Sequence, residues 1–280
     1  MQRYRRLLPS LMALATGAFA AGGAFADRPQ PWQMWFQDPA SPVADHLQSL
    51  HYWIFVIVTL ITVFVLGLLA IVCVRFRASA NPTPSRTTHN TPIEIAWTVV
   101  PILILLGIAV PSLKLIYYQE QVPSDAALTL KVTGIQWYWH YEYPDNGDFS
   151  FDSTLVEHKD LNDPLRLLDV DNEVVLPVGE DIRVQIAGND VMHSWFVPSL
   201  AAQKYAVIGK LNELWINIEK EGTYYGECNQ ICGINHAFMP IKIHAVSKDE
   251  FAKWVEQAKV KFARNDSGAP APQLASAAGR

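Results

Sequence analysis

Two uncharged apolar runs constrain this chain more than any other feature. From His51 to Val74 the sequence reads HYWIFVIVTLITVFVLGLLAIVCV, and from Ile95 to Leu113 it reads IAWTVVPILILLGIAVPSL. At a helical rise of about 1.5 Å per residue, each run is long enough to cross a hydrocarbon layer of about 30 Å. Transmembrane helices are therefore expected over 51–74 and 93–115. Pro101 and Pro111 are compatible with the second, because neighbouring helices re-satisfy the backbone groups that proline frees in lipid. Half of all residues are hydrophobic. That figure alone does not separate a membrane protein from one with a large core; the distribution does.

Ahead of the spans, Arg3, Arg5 and Arg6 precede an apolar stretch from Leu7 to Phe25 that ends in Ala24-Phe25-Ala26. This is the pattern of an export signal, cleaved after residue 26. Its removal takes away three arginines and no acids, moving the formal charge from −5 to −8. Such a chain is no partner for nucleic acid, but it can steer a basic protein. Segment 75–92 holds Arg75, Arg77 and Arg86 with no acid, whereas 27–50 holds one arginine and three aspartates. The positive-inside rule makes 75–92 a cytoplasmic loop and places both mature termini outside, in the periplasm of a bacterial inner membrane.

Beyond Leu115 the pattern changes to period-two alternation in LTLKVTG, DIRVQIA, ELWINIE and PIKIHAV, with turn clusters such as Pro144-Asp145-Asn146-Gly147 between. Half-buried antiparallel strands follow, giving an all-β sandwich or barrel over 120–246. Residues 247–264 form a short amphipathic helix with Phe251, Trp254, Val255 and Ala258 on one side. The remainder, 265–280, is too poor in bulky apolar groups to fold and is expected to be a disordered tail.

The segment YYGECNQICGINHAFMPIKI carries the chemistry. Outside the cell, Cys228 and Cys232 alone would suggest a disulfide or redox pair. His236 and Met239 extend the series to thiolate, thiolate, imidazole and thioether on one loop between strands. Zinc makes no use of a thioether and copper does, so a soft-metal site competes with the disulfide. A second imidazole is available from His193 in NDVMHSWFVPS, expected on the turn after DIRVQIA with flanking hydrophobes to fix its ring. His46, His51, His89, His158 and His244 lack such a setting. No Cys-x2-Cys-His occurs, so no covalent haem is expected in this chain.

QWYWHYEYP, LLDVDNEVVLP, DVMHSWFVPSL and YYGECNQICGINHAFMP, in that order after a two-helix hairpin, resemble subunit II of the haem-copper cytochrome c oxidases. The resemblance covers nearly the whole mature chain. It implies a cupredoxin-like Greek-key barrel on the periplasmic side of a transmembrane hairpin, with a binuclear CuA centre of two copper ions. Cys228 and Cys232 would bridge the coppers, and His193, His236, Met239 and the backbone carbonyl of Gln230 would complete the site. Trp137 would be the exposed ring through which cytochrome c passes its electron. Glu142, Asp148, Asp171 and Asp190 match the family's acidic docking surface, and Glu94 the mouth of a proton pathway. The implied partners are cytochrome c, the haem-bearing subunit I that reduces oxygen, subunit III and membrane lipid.

Two departures from the family pattern stand out. Cys-Asn-Gln-Ile-Cys (228–232) replaces the usual Cys-Ser-Glu-Ile/Leu-Cys, and Gln203-Lys204-Tyr205-Ala206-Val207-Ile208-Gly209-Lys210 lacks the usual acid, proline and arginine. Because the family's glutamate helps bind magnesium at the subunit I boundary, that ion is expected to be absent or weakly held. The alternative reading from another functional class is a membrane-anchored copper chaperone or thiol-redox protein for oxidase assembly. Its expected marks are one anchor and a βαβ pattern, against the two spans and β alternation found here.

Overall fold

In the computed structural model, residues 25–263 are described. The expected signal, save its last two residues, and the expected tail 265–280 lie outside the described residues. Helix α1 (Pro42–Arg75) begins at Pro42 rather than near His51. Ser41 caps it by accepting the Ala44 N–H at 3.1 Å, and Pro42 occupies the first turn, where its missing N–H costs nothing. Hydropathy marks only the lipid-spanning part; the Ser-Pro pair was the signal for the true start. Helix α2 (Thr91–Glu120) runs through Pro101 and Pro111 and is capped by Asn90, whose Oδ1 accepts the Ile93 N–H at 3.3 Å. Along both helices large apolar side chains point outward, Leu60 and Phe64 being 65% exposed. A surface of that kind is stable only against lipid or another apolar partner.

The β-domain comprises β1 (Phe25–Asp27), β2 (Leu128–Ile135), β3 (Tyr138–Tyr143), β4 (Phe149–Ser153), β5 (Val174–Pro177) and β6 (Asp181–Gly188). It continues with β7 (His193–Val197), β8 (Ala202–Ala206), β9 (Asn212–Asn217), β10 (Gly222–Cys228) and β11 (Pro240–Val246). They form two sheets, β5-β11-β10-β7-β8 with β1 against β10, and β4-β3-β2-β6-β9. The inward residues of β2 and β6 (Leu128, Leu130, Val132; Ile182, Val184, Ile186) meet Trp139, Tyr141, Trp195 and Tyr224 in one core between the sheets.

Not all pairings are antiparallel as expected. β2 pairs with β6, β5 with β11 and β1 with β10 in parallel. Each joins segments distant in sequence, so the chain has crossed to the other sheet and returned in the same direction. Strand β5 shows no alternation because all four of its residues are buried. Helix α3 (Lys248–Lys261) covers it, burying Val255 and Ala258.

The helices are anchored to this domain at both ends of the hairpin. Ser41 Oγ donates to the Leu200 carbonyl at 2.8 Å, and Trp215 Nε1 donates to the Tyr118 carbonyl at 3.3 Å. Lys204 Nζ meets both carboxylate oxygens of Glu120 at 2.8 and 2.7 Å.

Candidate metal centre

Three connections converge at one end of the sandwich: the β2–β3 turn, the β6–β7 turn and the long β10–β11 loop. His193 is the first residue of β7, one step beyond the turn where it was expected. Cys228 ends β10, which pairs with β7 in the register Cys228↔Trp195, so the two side chains are brought together by sheet pairing. Cys232 and His236 follow on the loop, and Met239 immediately precedes β11.

The donor atoms face one another. Cys228 Sγ lies 3.9 Å from Cys232 Sγ and 4.0 Å from His193 Nδ1. Cys232 Sγ lies 3.6 Å from His236 Nδ1 and 3.5 Å from Met239 Sδ. The Gln230 carbonyl accepts from Cys228 Sγ at 3.3 Å. Both thiols are free, and 3.9 Å is far beyond the roughly 2.05 Å of a disulfide. Sulfurs held about 2.3 Å from a common metal would stand near this separation. Among the described residues, His193, Cys228 and Cys232 are the one His/Cys/Asp/Glu group whose ligand atoms, all within 4.8 Å of one another, could hold an ion. With Met239 buried beside them, the donor set is soft and suits copper over zinc.

The electrostatics support a cation here. Burial pushes both thiols up. At Cys228 the opposing interactions with His193 and with the backbone of Gln230 and Ser194 prevail, holding the thiol below its ordinary value. Cys232 is pushed up to about 12 by burial and by the charge of Cys228. One thiolate is thus favoured and the second opposed, and a bound cation is what would ionise both. Burial lowers the His193 pKa, but Cys228 and Asp190 outweigh it and the net shift is upward.

A second layer fixes these donors. Asp190 Oδ1 sits 2.9 Å from His193 Nε2, leaving Nδ1 toward the sulfurs. Trp139 Nε1 donates to the Met239 carbonyl at 3.1 Å, and the Asn229 N–H donates to the Ser194 carbonyl at 2.9 Å. Gln136 Nε2 and Trp137 Nε1 both donate to the Cys232 carbonyl, at 2.7 and 3.2 Å. Gly134 leaves room for the His193 ring: a Cβ there would lie 2.8 Å from its Cδ2. Gly134→Ala is accordingly expected to displace the ring and weaken metal retention by about tenfold or more, measured as metal per chain after dialysis against a chelator.

The other expected site residues divide. Trp137 is half-buried rather than fully exposed, one edge covering Gly233 of the metal loop. Asp171 is exposed, accepting from the N–H of Thr154 and of Asn172. Glu142 and Asp148 lie toward the far end of the β3–β4 hairpin, Glu142 about 17 Å along the strand from Trp137. Asp152 was missed. It is exposed, 2.7 Å from His140, and pairs across from it near the site. Only strand register could have found it. Glu94 lies far from the centre at the start of α2, where Oε1 accepts the Asn90 N–H at 2.9 Å. Of the remaining histidines, His158 is held between Asp163 and Asp169, and His244 pairs with Glu173.

Comparison with known proteins bears on what this centre belongs to. The family profile described as cytochrome C oxidase subunit II, periplasmic domain, matches residues 128–246, and that of the transmembrane domain matches 29–115. A probable cytochrome c oxidase subunit 2 of Rickettsia bellii (strain RML369-C) is 50% identical over 242 residues, 86% of this chain and 89% of that protein. The mitochondrial cytochrome c oxidase subunit 2 of Vigna unguiculata is 46% identical over 254 residues, covering 89% of this chain and 67% of that protein. The crystal structure of the periplasmic domain of subunit II of cytochrome oxidase from Bradyrhizobium japonicum is 51% identical. It covers 51% of this chain and 99% of that one, with a TM-score of 0.47.

Proposed function

Because the chain belongs to the cytochrome c oxidase subunit II family and is a membrane-anchored component of that oxidase, we propose that it takes electrons from cytochrome c at its metal centre and passes them to the haem-bearing subunit I. The observation that carries this reading is the convergence of two cysteine sulfurs, an imidazole nitrogen on each side and a thioether in a buried pocket. His193, Cys228, Cys232, His236, Met239 and the Gln230 carbonyl are the groups that would hold two coppers. When bound, the copper pair supplies a one-electron carrier that needs little rearrangement. The protein's part is to exclude water, to keep imidazole Nδ1 atoms and thiolates aimed inward, and to offer a route from the surface. Trp137 supplies that route, since its indole N–H donates to the carbonyl of a cysteine donor.

Asp171 and Asp152, on the same end of the domain, are the acids best placed to orient a basic partner. Glu142 and Asp148 extend the negative face away from the centre. Glu94, its Oε1 engaged at the helix start, is retained as a proton-pathway residue at the cytoplasmic end of α2. Signal removal after Ala26, which would leave only Asp27 of β1 on β10, a cytoplasmic 75–92 loop, contacts with subunits I and III, and the absent or weak magnesium at Gln230 belong to the same reading.

The test is oxidation of reduced cytochrome c by the purified complex, followed against ionic strength. Asp152→Asn and Asp171→Asn are expected to lower the association rate at low salt and flatten its salt dependence. Trp137→Ala is expected to slow electron transfer within the bound complex while leaving association unchanged. A wild-type complex without copper in this chain, or a salt-insensitive rate, overturns the proposal.

A further inference from the structure

Where the two spans approach the β-domain they leave a cavity of about 610 Å³ between them, a size within the roughly 300–1,000 Å³ of ligand sites. Because α1 and α2 run antiparallel, its lining is graded in depth. At the outer end the rings of His46 and Tyr118 meet edge to face, 5.3 Å between centroids, and Tyr118 in turn meets Trp215 of the β-domain. Below them lie Ser49 and Lys114, and deeper still Trp53 and Pro111. The Trp53 ring reaches toward Gly107, one turn further down α2.

This grading matches the two halves of a lipid. The uncharged runs His51–Val74 and Ile95–Leu113 mark the hydrocarbon layer. His46 and Ser49 precede the first run and Lys114 follows the second, which puts all three at headgroup depth; Trp53 and Pro111 lie inside the runs, at the depth of acyl chains. Among the described residues Lys114 has no hydrogen bond or ion pair. Glu120, the acid near it on α2, is engaged by Lys204. No carboxylate lines the cavity, Asp45 beside His46 included. A lone cation above an apolar slot selects an anionic amphiphile. A soluble anion would leave the slot unfilled, and the ammonium of a zwitterionic lipid would find no carboxylate.

We propose that this cavity binds one anionic phospholipid of the leaflet on the β-domain side: its phosphate takes the Lys114 ammonium and the Ser49 hydroxyl, and an acyl chain lies against Trp53 and Pro111. The bound lipid bridges both spans just below the Tyr118–Trp215 contact that joins them to the domain. The inference rests on the membrane hairpin and not on the copper relay.

The experiment places the intact complex in phosphatidylcholine vesicles carrying photoactivatable phosphatidylglycerol or photoactivatable phosphatidylcholine, and maps the labelled peptides. Phosphatidylglycerol is expected to label segments 46–53 and 111–118 in preference to phosphatidylcholine. Unlabelled phosphatidylglycerol should compete, and inorganic phosphate should not. Lys114→Gln is expected to lower the labelling about fivefold, the effect of one basic residue at a membrane surface, while Lys114→Arg keeps it. Ser49→Trp fills the slot and leaves the charge, so it should lower the labelling too; where that variant does not assemble, the two Lys114 variants carry the test. Arg86→Gln, in the loop at the opposite end of the hairpin, should change nothing. The inference is overturned if both lipids label these segments equally, if Lys114→Gln labels like wild type, or if inorganic phosphate displaces the probe. It is equally overturned if neither lipid labels them because a neighbouring subunit fills the cavity.

Discussion

Cys232→Ser is expected to empty the metal centre and to reduce cytochrome c oxidation by more than about 100-fold, a larger loss than removing an outer hydrogen-bond partner causes. Cys232 is the hub of the site, its sulfur lying within 3.5–3.9 Å of Cys228, His236 and Met239. A serine oxygen is shorter, harder and does not ionise in a buried pocket, so it can neither reach these partners nor supply soft donation. Metal analysis of the complex, with steady-state oxidation of reduced cytochrome c, measures both effects. Cys73→Ser is the control. Cys73 is exposed on α1, distant from the site, and its replacement should change neither quantity. Full copper retention in Cys232→Ser would refute the assignment.

Gly226→Ala is expected to destabilise the β-domain by about 3 kcal/mol and to take the metal centre with it. A Cβ at this position would lie 2.1 Å from the Phe196 carbonyl oxygen and 3.0 Å from Val197 Cγ2. The obstacle is backbone, so no side-chain rotation relieves it; β7 and β10 must separate. The next pairs in that register are Glu227↔Phe196 and Cys228↔Trp195, which are what bring Cys228 to His193. The denaturant midpoint of the full-length chain in detergent and its copper content should fall together. Gly67→Ala on α1, with nothing within 4 Å of the added carbon, should leave both unchanged.

These two sites also show how far sequence carries. Periodicity found β2 and β6, which alternate strictly between core and surface, and β11, which largely does; it also found β9, although Leu214, Trp215 and Ile216 are all buried there, and it missed β5, which α3 covers. Hydropathy found the helices but started α1 late, since it responds to lipid contact and not to the Ser41 cap. Donor types and spacing made the loop from Cys228 to Met239 legible. Gln136, Asp152 and the occupation of Asp190 were not, because each depends on which strands and turns lie side by side. Asp190 and His193 are three residues apart, a spacing that becomes meaningful only once the turn between them is known to fold back.

The ties between hairpin and domain bear on the proposed electron relay. Ser41 enters the domain directly at the head of α1, and only residues 121–127 separate the end of α2 from β2, with Glu120 held by Lys204. These ties restrain the domain against tilting on the hairpin. On the proposed function the metal centre would be a stationary stepping stone, and the soluble donor would do the travelling.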